Sequence, residues 1–339
     1  MSVIQDPPVL SSRRAIRDLV VFAQKAEIQV LFVQIYYGNK AWFPSAVGDP
    51  GPYEACLKNV GEDPFGLLLR EAHAAGIQVH AWLNMMSLND NSKAPLLRRY
   101  GTGILTRDTG AKGALEDFKI DGQYFLEPGD PRVRKASVAV VQEVLRSYPE
   151  LDGIQFDYLR YPDVHPVYGY GLENIRRFKE ATGARAIRDG DPVWRQWKRD
   201  QVTECLRELV RASRAARPGI RVSATGCMPY ARAYEEAFQD WPFWIDTGLV
   251  DFVTVMNYSP DPAQFARWTL NAKDQVGRSR RMNIGIGAYK LIGRSETFRE
   301  ELRACETAGA GACVVFHYGS LREDPRLAQA WTGEGSAVK

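Results

Sequence analysis

The stretch LDGIQFDYLRYPD, residues Leu151–Asp163, has the pattern of a buried strand that ends at a carboxylate. Side chains two residues apart share one face of a strand. Ile154 and Phe156 therefore suit a layer of helices, and Gln155 and Asp157 are expected on the opposite face. Because reactive groups collect at the carboxyl ends of parallel strands, we predict that Asp157 is the central acidic residue of a functional site.

Short apolar, β-branched or aromatic runs recur on both sides of this stretch and predict further strands. The eight predicted strands lie around Val3–Gln5, Val30–Tyr36, Ile77–Asn84, Gly153–Tyr158, Ile220–Thr225, Asp251–Tyr258, Met282–Tyr289 and Ala312–Tyr318. Helical segments separate them, and three begin at the capping residues Ser12, Asp63 and Asp130, the last two followed by proline. Four more helices are predicted at Leu172–Thr182, Pro192–Ala216, Pro262–Gln275 and Glu296–Ala308.

Eight strands that alternate with helices favour a closed parallel (β/α)8 barrel, the TIM-barrel class of α/β fold. We expect residues 1–339 to form a single domain, with a core at about residues 3–320 and a C-terminal tail at 321–339. Two long stretches, Ser87–Pro128 and Pro162–Gly171, are expected as loop insertions on the strand-to-helix side, which carries the active site in a barrel.

Composition excludes several classes of partner. The chain has 44 Lys and Arg against 41 Asp and Glu, with its arginines scattered, so no nucleic-acid partner is expected. No stretch approaches the roughly 18 continuous apolar residues of a membrane span, and Met1 to Leu10 lacks the regions of a signal peptide. The four histidines and five cysteines show no metal-ligand spacing, so neither a metal nor a cofactor is expected.

Polar and aromatic side chains are concentrated where the predicted strands end. The alternation rule places the following residues toward the barrel interior, beside Gln155 and Asp157: Gln34, Tyr36, His80, Trp82, Asn84, Ser223, Thr225, Tyr258 and Tyr289. Sugars need hydrogen-bonding groups for their hydroxyls and flat rings for their C–H faces, so this set favours a carbohydrate ligand. The alternative is that several of the aromatic side chains only cap the core.

The segment Leu151–Asp163 resembles the D-G-I-x-x-D-Y-x-R-[YF]-P signature of the glycosyl hydrolase-like 10 family of bacterial barrel proteins. Other stretches agree in order and spacing: LFVQIYYGNKAWFPS from Leu31, AGIQVHAWLN from Ala75, FLEPGDPRVR from Phe125 and QDWPFWIDTGLVDFVTVMNY from Gln239. The resemblance implies a barrel that acts on a bacterial polysaccharide, a cell-wall glycan or an exopolysaccharide. Family members are often exported, so the location of this chain stays open, with the cell envelope among the alternatives.

Glycoside hydrolysis normally needs two carboxyl groups that flank the scissile bond. Asp157 is the first candidate, and the second is expected in a loop, at Asp240 or Glu127, although either residue could instead cap a helix. Glu127 also stands where relatives are expected to carry Asn or Asp. Arg160 and Tyr161 are candidates for binding substrate, and Arg160 could equally be the partner that positions Asp157.

Three functions remain open at this point. The first is a glycosidase that uses Asp157 as nucleophile or base. The second is a carbohydrate-binding barrel without turnover, because no other strand end carries a carboxylate to work with Asp157. The third is a metal-dependent hydrolase, which would require clustered histidine and carboxylate ligands that the strand ends lack.

Overall fold

A computed structural model of the protein describes residues 1–3, 8–110 and 113–332. Its main sheet is curled and consists mostly of parallel strands, in the spatial order β10-β9-β8-β7-β6-β3-β1-β2. The strands are β1 (Val30–Tyr37), β2 (Lys40–Ala41), β3 (Gln78–Asn84), β4 (Ser87–Asn89), β5 (Tyr124–Phe125), β6 (Gly153–Asp157), β7 (Arg221–Cys227), β8 (Phe252–Asn257), β9 (Met282–Gly287) and β10 (Cys313–Phe316). Strands β4 and β5 form a separate antiparallel pair.

Helices follow most of the parallel strands. They are α1 (Arg13–Lys25), α2 (Gly51–Val60), α3 (Pro64–Ala74), α4 (Pro95–Tyr100), α5 (Pro131–Ser147), α6 (Leu172–Thr182), α7 (Pro192–Ala216), α8 (Tyr230–Glu235), α9 (Trp241–Asp246), α10 (Pro262–Asp274), α11 (Ser295–Thr307), α12 (Tyr318–Glu323) and α13 (Pro325–Thr332). The predicted caps are confirmed, because Ser12, Asp63 and Asp130 each accept a hydrogen bond from a backbone N–H in the first helical turn. No helix in the described ranges is long and apolar enough to cross a membrane.

Seven of the eight predicted strands correspond to parallel strands of the sheet. The prediction around Val3–Gln5 falls partly on Ile4 and Gln5, which lie outside the described residues, and Val3 itself is in a turn. The eighth strand of the sheet is instead β2, which pairs antiparallel with the end of β1. The Met1 nitrogen donates to Phe32 O at 2.7 Å, and Gln34 N donates to Met1 O at 3.0 Å, along the edge of β1.

The face assignment on β6 agrees with the structure. Ile154 and Phe156 are fully buried in the main core cluster, while Gln155 and Asp157 line an interior cavity. Gly153 also faces the interior, because a Cβ atom at this position would lie 2.4 Å from the His80 ring. Glycine at position 153 therefore leaves room for the His80 ring.

Residues 321–332, expected as part of a C-terminal tail, instead pack on the core. They contain the end of α12 and all of α13, and Leu327 is fully buried. The indole N–H of Trp331 donates to Ala26 O at 2.9 Å, just after the end of α1. The segment is thus joined to the first helix of the described chain, and periodicity alone did not reveal this because the contact spans 305 residues.

Helix α11 buries a carboxyl group. Glu301 is 1% exposed on the same face as Phe298 and Cys305, and neither of its carboxyl oxygens has a hydrogen-bond partner in the described structure. Burial raises the pKa of Glu301 to about 8. The protonated form is thus the one that the folded chain favours at neutral pH.

We predict that Glu301→Gln flattens the pH dependence of stability. Folded Glu301 holds its proton at pH values where the unfolded chain, with a pKa near 4.5, has lost it, so the free energy of unfolding should fall as the pH rises from about 4.5 to about 8. Urea denaturation across this range should show a smaller decline for Glu301→Gln than for wild type. Glu300→Gln, at an exposed neighbouring position, is the matched control, and an equal decline in all three proteins would contradict the prediction.

Candidate functional site

The carboxylate of Asp157 is buried at the end of β6 and accepts hydrogen bonds from three donors. Trp82 Nε1 on β3 donates to Oδ2 at 3.0 Å, and Thr225 Oγ1 on β7 donates to Oδ1 at 2.5 Å. The backbone N–H of Tyr158 donates to Oδ1 at 2.6 Å. Residues from three adjacent strands therefore fix the position of this carboxylate.

Arg160 supplies a positive charge next to this carboxylate. Its Nη1 lies 3.6 Å from Asp157 Oδ1, and both side chains are less than a tenth exposed. The guanidinium carbon lies 4.0 Å from the centre of the Tyr158 ring, a cation–π contact. Nε and Nη1 of Arg160 are buried and have no hydrogen-bond partner in the part of the chain that the structure describes, so the guanidinium acts on Asp157 mainly through its charge.

Asp157 lies in a cavity of about 740 Å³ inside the curled sheet. The carboxyl-end part of the cavity is lined by Trp82, Gln155, Asp157, Thr225, Tyr258 and Phe316. Two other carboxylates, Glu27 and Asp251, line it at the opposite end, before β1 and β8. Among the described residues that line the cavity, Asp157 is thus the carboxylate at the carboxyl ends of the strands.

Deeper in the cavity, the His80 ring packs against the rings of Phe32 and Phe252. His80 is fully buried, and neither ring nitrogen has a hydrogen-bond partner among the described residues. Burial lowers the pKa of His80 to about 4, so the imidazole is neutral at physiological pH. Above it, Gln155 Nε2 donates to Thr254 Oγ1 at 3.1 Å, which fixes the orientation of the amide.

Aromatic rings line one side of the mouth. Phe316 is the common member: its ring centre lies 5.6 Å from Tyr258, 5.8 Å from Tyr289 and 5.8 Å from Trp82. Tyr289 is 42% exposed. Burial and the charge of Asp157 raise the pKa of Tyr258 well above 10, so its hydroxyl stays protonated. The sequence analysis did not select Phe316. Its position near the end of the last predicted strand, Ala312–Tyr318, could have indicated it.

Six predicted substrate-binding residues do not line the cavity: Gln34, Tyr36, Asn84, Arg160, Tyr161 and Tyr289. Gln34 and Asn84 bond to each other, with Gln34 Nε2 donating to Asn84 Oδ1 at 2.9 Å. The register of β1 shifts between Gln34 and Tyr36, so the alternation rule fails there. The hydroxyl of Tyr36 is buried and accepts a hydrogen bond from Asn39 Nδ2 at 2.8 Å.

Glu127 and Tyr161 are paired within the protein. The Tyr161 hydroxyl donates to Glu127 Oε1 at 2.5 Å, and Gly129 N donates to the same oxygen at 3.2 Å. Both side chains are at most 1% exposed, and burial raises the pKa of Glu127. This contact joins the segment after β5 to the loop after β6, and neither residue lines the cavity.

Asp240 lies in a different cleft and caps α9. Its Oδ1 accepts hydrogen bonds from Phe243 N at 3.3 Å and from the Tyr230 hydroxyl at 2.9 Å. Asp163, on the loop after β6, forms an ion pair with Arg232 at 2.9 Å. No group of three or more His, Cys, Asp or Glu side chains within the described ranges could hold a metal ion.

Comparison with known proteins gives a family and a fold. The sequence model of the family described as "Glycosyl hydrolase-like 10" matches residues 10–296. Glycosyl hydrolase DigH of Escherichia coli (strain K12) is 27% identical over 304 residues, which cover 82% of this chain. Glycosyl hydrolase YngK of Bacillus subtilis (strain 168) is 24% identical over 290 residues and 79% of this chain. The chain spans 66% and 54% of the lengths of these two relatives.

Among solved structures, the catalytic domain of β-amylase from Paenibacillus polymyxa has a TM-score of 0.62 at 11% identity. The match covers 95% of this chain and 94% of that one. At this level of identity the likeness shows the fold alone.

The Thr225 hydroxyl offers a test of how Asp157 is held. We predict that Thr225→Val, which keeps the shape but removes the donor, lowers the free energy of unfolding by about 1 to 3 kcal/mol, because a buried carboxylate loses a hydrogen bond. Thr225→Ser keeps the hydroxyl and should cost less. Urea denaturation of the three proteins measures the difference, and a valine variant as stable as the serine variant would refute the contact.

Proposed function

The chain belongs to the glycosyl hydrolase-like 10 family, and from this premise we propose that it is a glycosidase that cleaves a bacterial polysaccharide, either a cell-wall glycan or an exopolysaccharide. The observation that carries the proposal is the Asp157 carboxylate, held by three donors inside a cavity that aromatic rings line at its mouth. A sugar ring stacked on these rings would bring its glycosidic bond toward the carboxylate.

We assign Asp157 the role of nucleophile or general base. The donors from Trp82 and Thr225 fix both oxygens, and such fixed geometry lowers the cost of reaching the transition state. Tyr258 lines the cavity and presents an O–H donor near the carboxylate, and Arg160, outside the lining, positions Asp157 through its charge. Gln155 would act as a further ligand for the substrate at greater depth.

For the second carboxyl group we favour Asp163 over Asp240 and Glu127. Asp163 is on the same loop as Arg160, and its charge acts on both Tyr158 and Arg160. None of the three lines the cavity, but Asp240 caps α9 in a different cleft and Glu127 is buried against Tyr161. To act as the acid, Asp163 would have to leave its ion pair with Arg232, which an incoming substrate could displace because both side chains are partly exposed.

A closed (β/α)8 barrel is part of the same proposal. Gln78 N donates to Gln29 O on the β3 side of β1, so Phe32 and Gln34 direct their backbone groups to the other edge. Met1 bonds to both of them in the pattern of a parallel ladder. A strand at this edge would lie between β1 and β10 and complete eight parallel strands.

A second candidate function is a carbohydrate-binding barrel without turnover. One observation favours it: among the described residues that line the cavity, Asp157 has no second carboxylate beside it at the carboxyl ends of the strands. In this case Asp157 and Tyr258 would serve only to bind sugar hydroxyls.

We predict that Asp157→Asn abolishes the release of oligosaccharides. Removing a catalytic carboxylate should lower the rate at least about 100-fold. Wild type and variant would be incubated with peptidoglycan strands, with and without stem peptides, and with amino-sugar exopolysaccharides, and the products identified by mass spectrometry. Equal cleavage by both proteins would refute the role of Asp157, and glycan binding by both without cleavage would support the binding barrel.

Two further variants locate the second carboxyl group. Asp163→Asn should also lose cleavage, while Asp240→Asn should keep it, because asparagine caps a helix as well as aspartate does. The opposite result would return the role to Asp240. Thermal unfolding of each variant separates loss of chemistry from loss of fold.

A further inference from the structure

A second cleft, of about 370 Å³, lies on the outside of the molecule among α5, α6, α7 and α9. It is separate from the cavity around Asp157, since the two have no lining residue in common. Four arginines line it, one from α5, one from α6 and two from α7: Arg134, Arg177, Arg199 and Arg207. The family resemblance and the proposed glycosidase chemistry use none of them.

Arg134 is the most deeply buried of the four, at 4% exposed. Its Nε has no hydrogen-bond partner among the described residues, and its ion pair with Glu208 is long, at 3.4 Å. A buried guanidinium with an unused donor is costly unless an acceptor reaches it. Arg134 lines the cleft, so an anion bound there would lie beside this guanidinium.

Arg177 and Arg199 are held by neutral acceptors. Arg177 Nη1 donates to Gly129 O at 2.7 Å and to Gln201 Oε1 at 2.9 Å. Arg199 Nε donates to Gln196 Oε1 at 3.2 Å, and its guanidinium lies over the Tyr234 ring. These contacts orient the two guanidinium groups without neutralising their charges.

The carboxylates of the cleft are already engaged. Glu204 pairs with Arg207, and Asp200 accepts a hydrogen bond from Gln196 Nε2 at 2.8 Å. Asp240 caps α9. Burial and then the charge of Arg134 lower the pKa of Arg177, and the four arginines of the lining outnumber its three carboxylates, Asp200, Glu204 and Asp240.

We propose that this cleft binds a small organic anion through phosphate or carboxylate oxygens, with Arg134 and Arg177 as the donors. Guanidinium groups match the geometry of both oxyanions. The volume exceeds that of a bare oxyanion, and Phe243, 44% exposed at the rim, offers an apolar surface to the rest of the molecule. The site is independent of glycan cleavage.

The test is binding of inorganic phosphate and of citrate to the whole chain, measured by isothermal titration calorimetry at low ionic strength. We expect wild type to bind at least one of the two probes, and Arg177→Gln to lower the affinity at least tenfold. Binding of phosphate alone would identify a phosphorylated ligand, and binding of citrate alone a carboxylate ligand. Arg176→Gln is the matched control, since the adjacent Arg176 is exposed, pairs with Glu173 and Glu180, and should bind as wild type does.

A second variant guards against a folding defect in Arg177→Gln. Phe243→Asp places a negative charge at an exposed rim position and should weaken binding by repulsion while the protein stays folded. Failure of wild type to bind either probe would overturn the proposal, as would unchanged affinity in both Arg177→Gln and Phe243→Asp.

Discussion

A carboxylate that is almost fully removed from water must be surrounded by donors, and the Asp157 side chain meets this requirement through three strands at once. The Trp82 indole reaches it from β3 and the Thr225 hydroxyl from β7. Such contacts need the correct register between neighbouring strands, because a shift of one residue would turn each side chain to the other face. The register that pairs Asn84 of β3 with Asp157 of β6 is therefore the one that brings these donors to the buried carboxylate.

The loop after β6 depends on a second set of buried polar contacts. Lys198 Nζ, on α7, donates to Pro166 O at 2.8 Å and Tyr168 O at 3.0 Å, and Asn174 Nδ2 donates to Gly169 O at 2.8 Å. Burial lowers the pKa of Lys198 to about 7. Together with the pair of Glu127 and Tyr161, these contacts hold the loop that carries Arg160. The glutamate at position 127 thus has a structural explanation that does not require chemistry.

Local patterns in the sequence predicted the parallel strands, the helix caps and the facing of Gln155 and Asp157. These features depend on period and on short-range hydrogen bonds, which a sequence displays directly. The alternation of side chains between the two faces does not hold at Tyr36, because the register of β1 shifts there. The position of Asp240 and the arginine cleft depend on how distant helices pack, and no local pattern reports that. The segment QDWPFW was consistent with either reading of Asp240, and the hydrogen bonds by which Asp240 caps α9 are visible only in three dimensions.

The packing of His80 under Gly153 has a consequence for how the cavity behaves in solution. An imidazole with a pKa near 4 carries no charge between about pH 5 and pH 8, the range in which histidines usually titrate. The part of the cavity wall that His80 forms with Phe32 and Phe252 therefore stays uncharged throughout this range. An acid-dependent change in ligand affinity within this range must therefore arise from groups other than His80 or from the ligand itself.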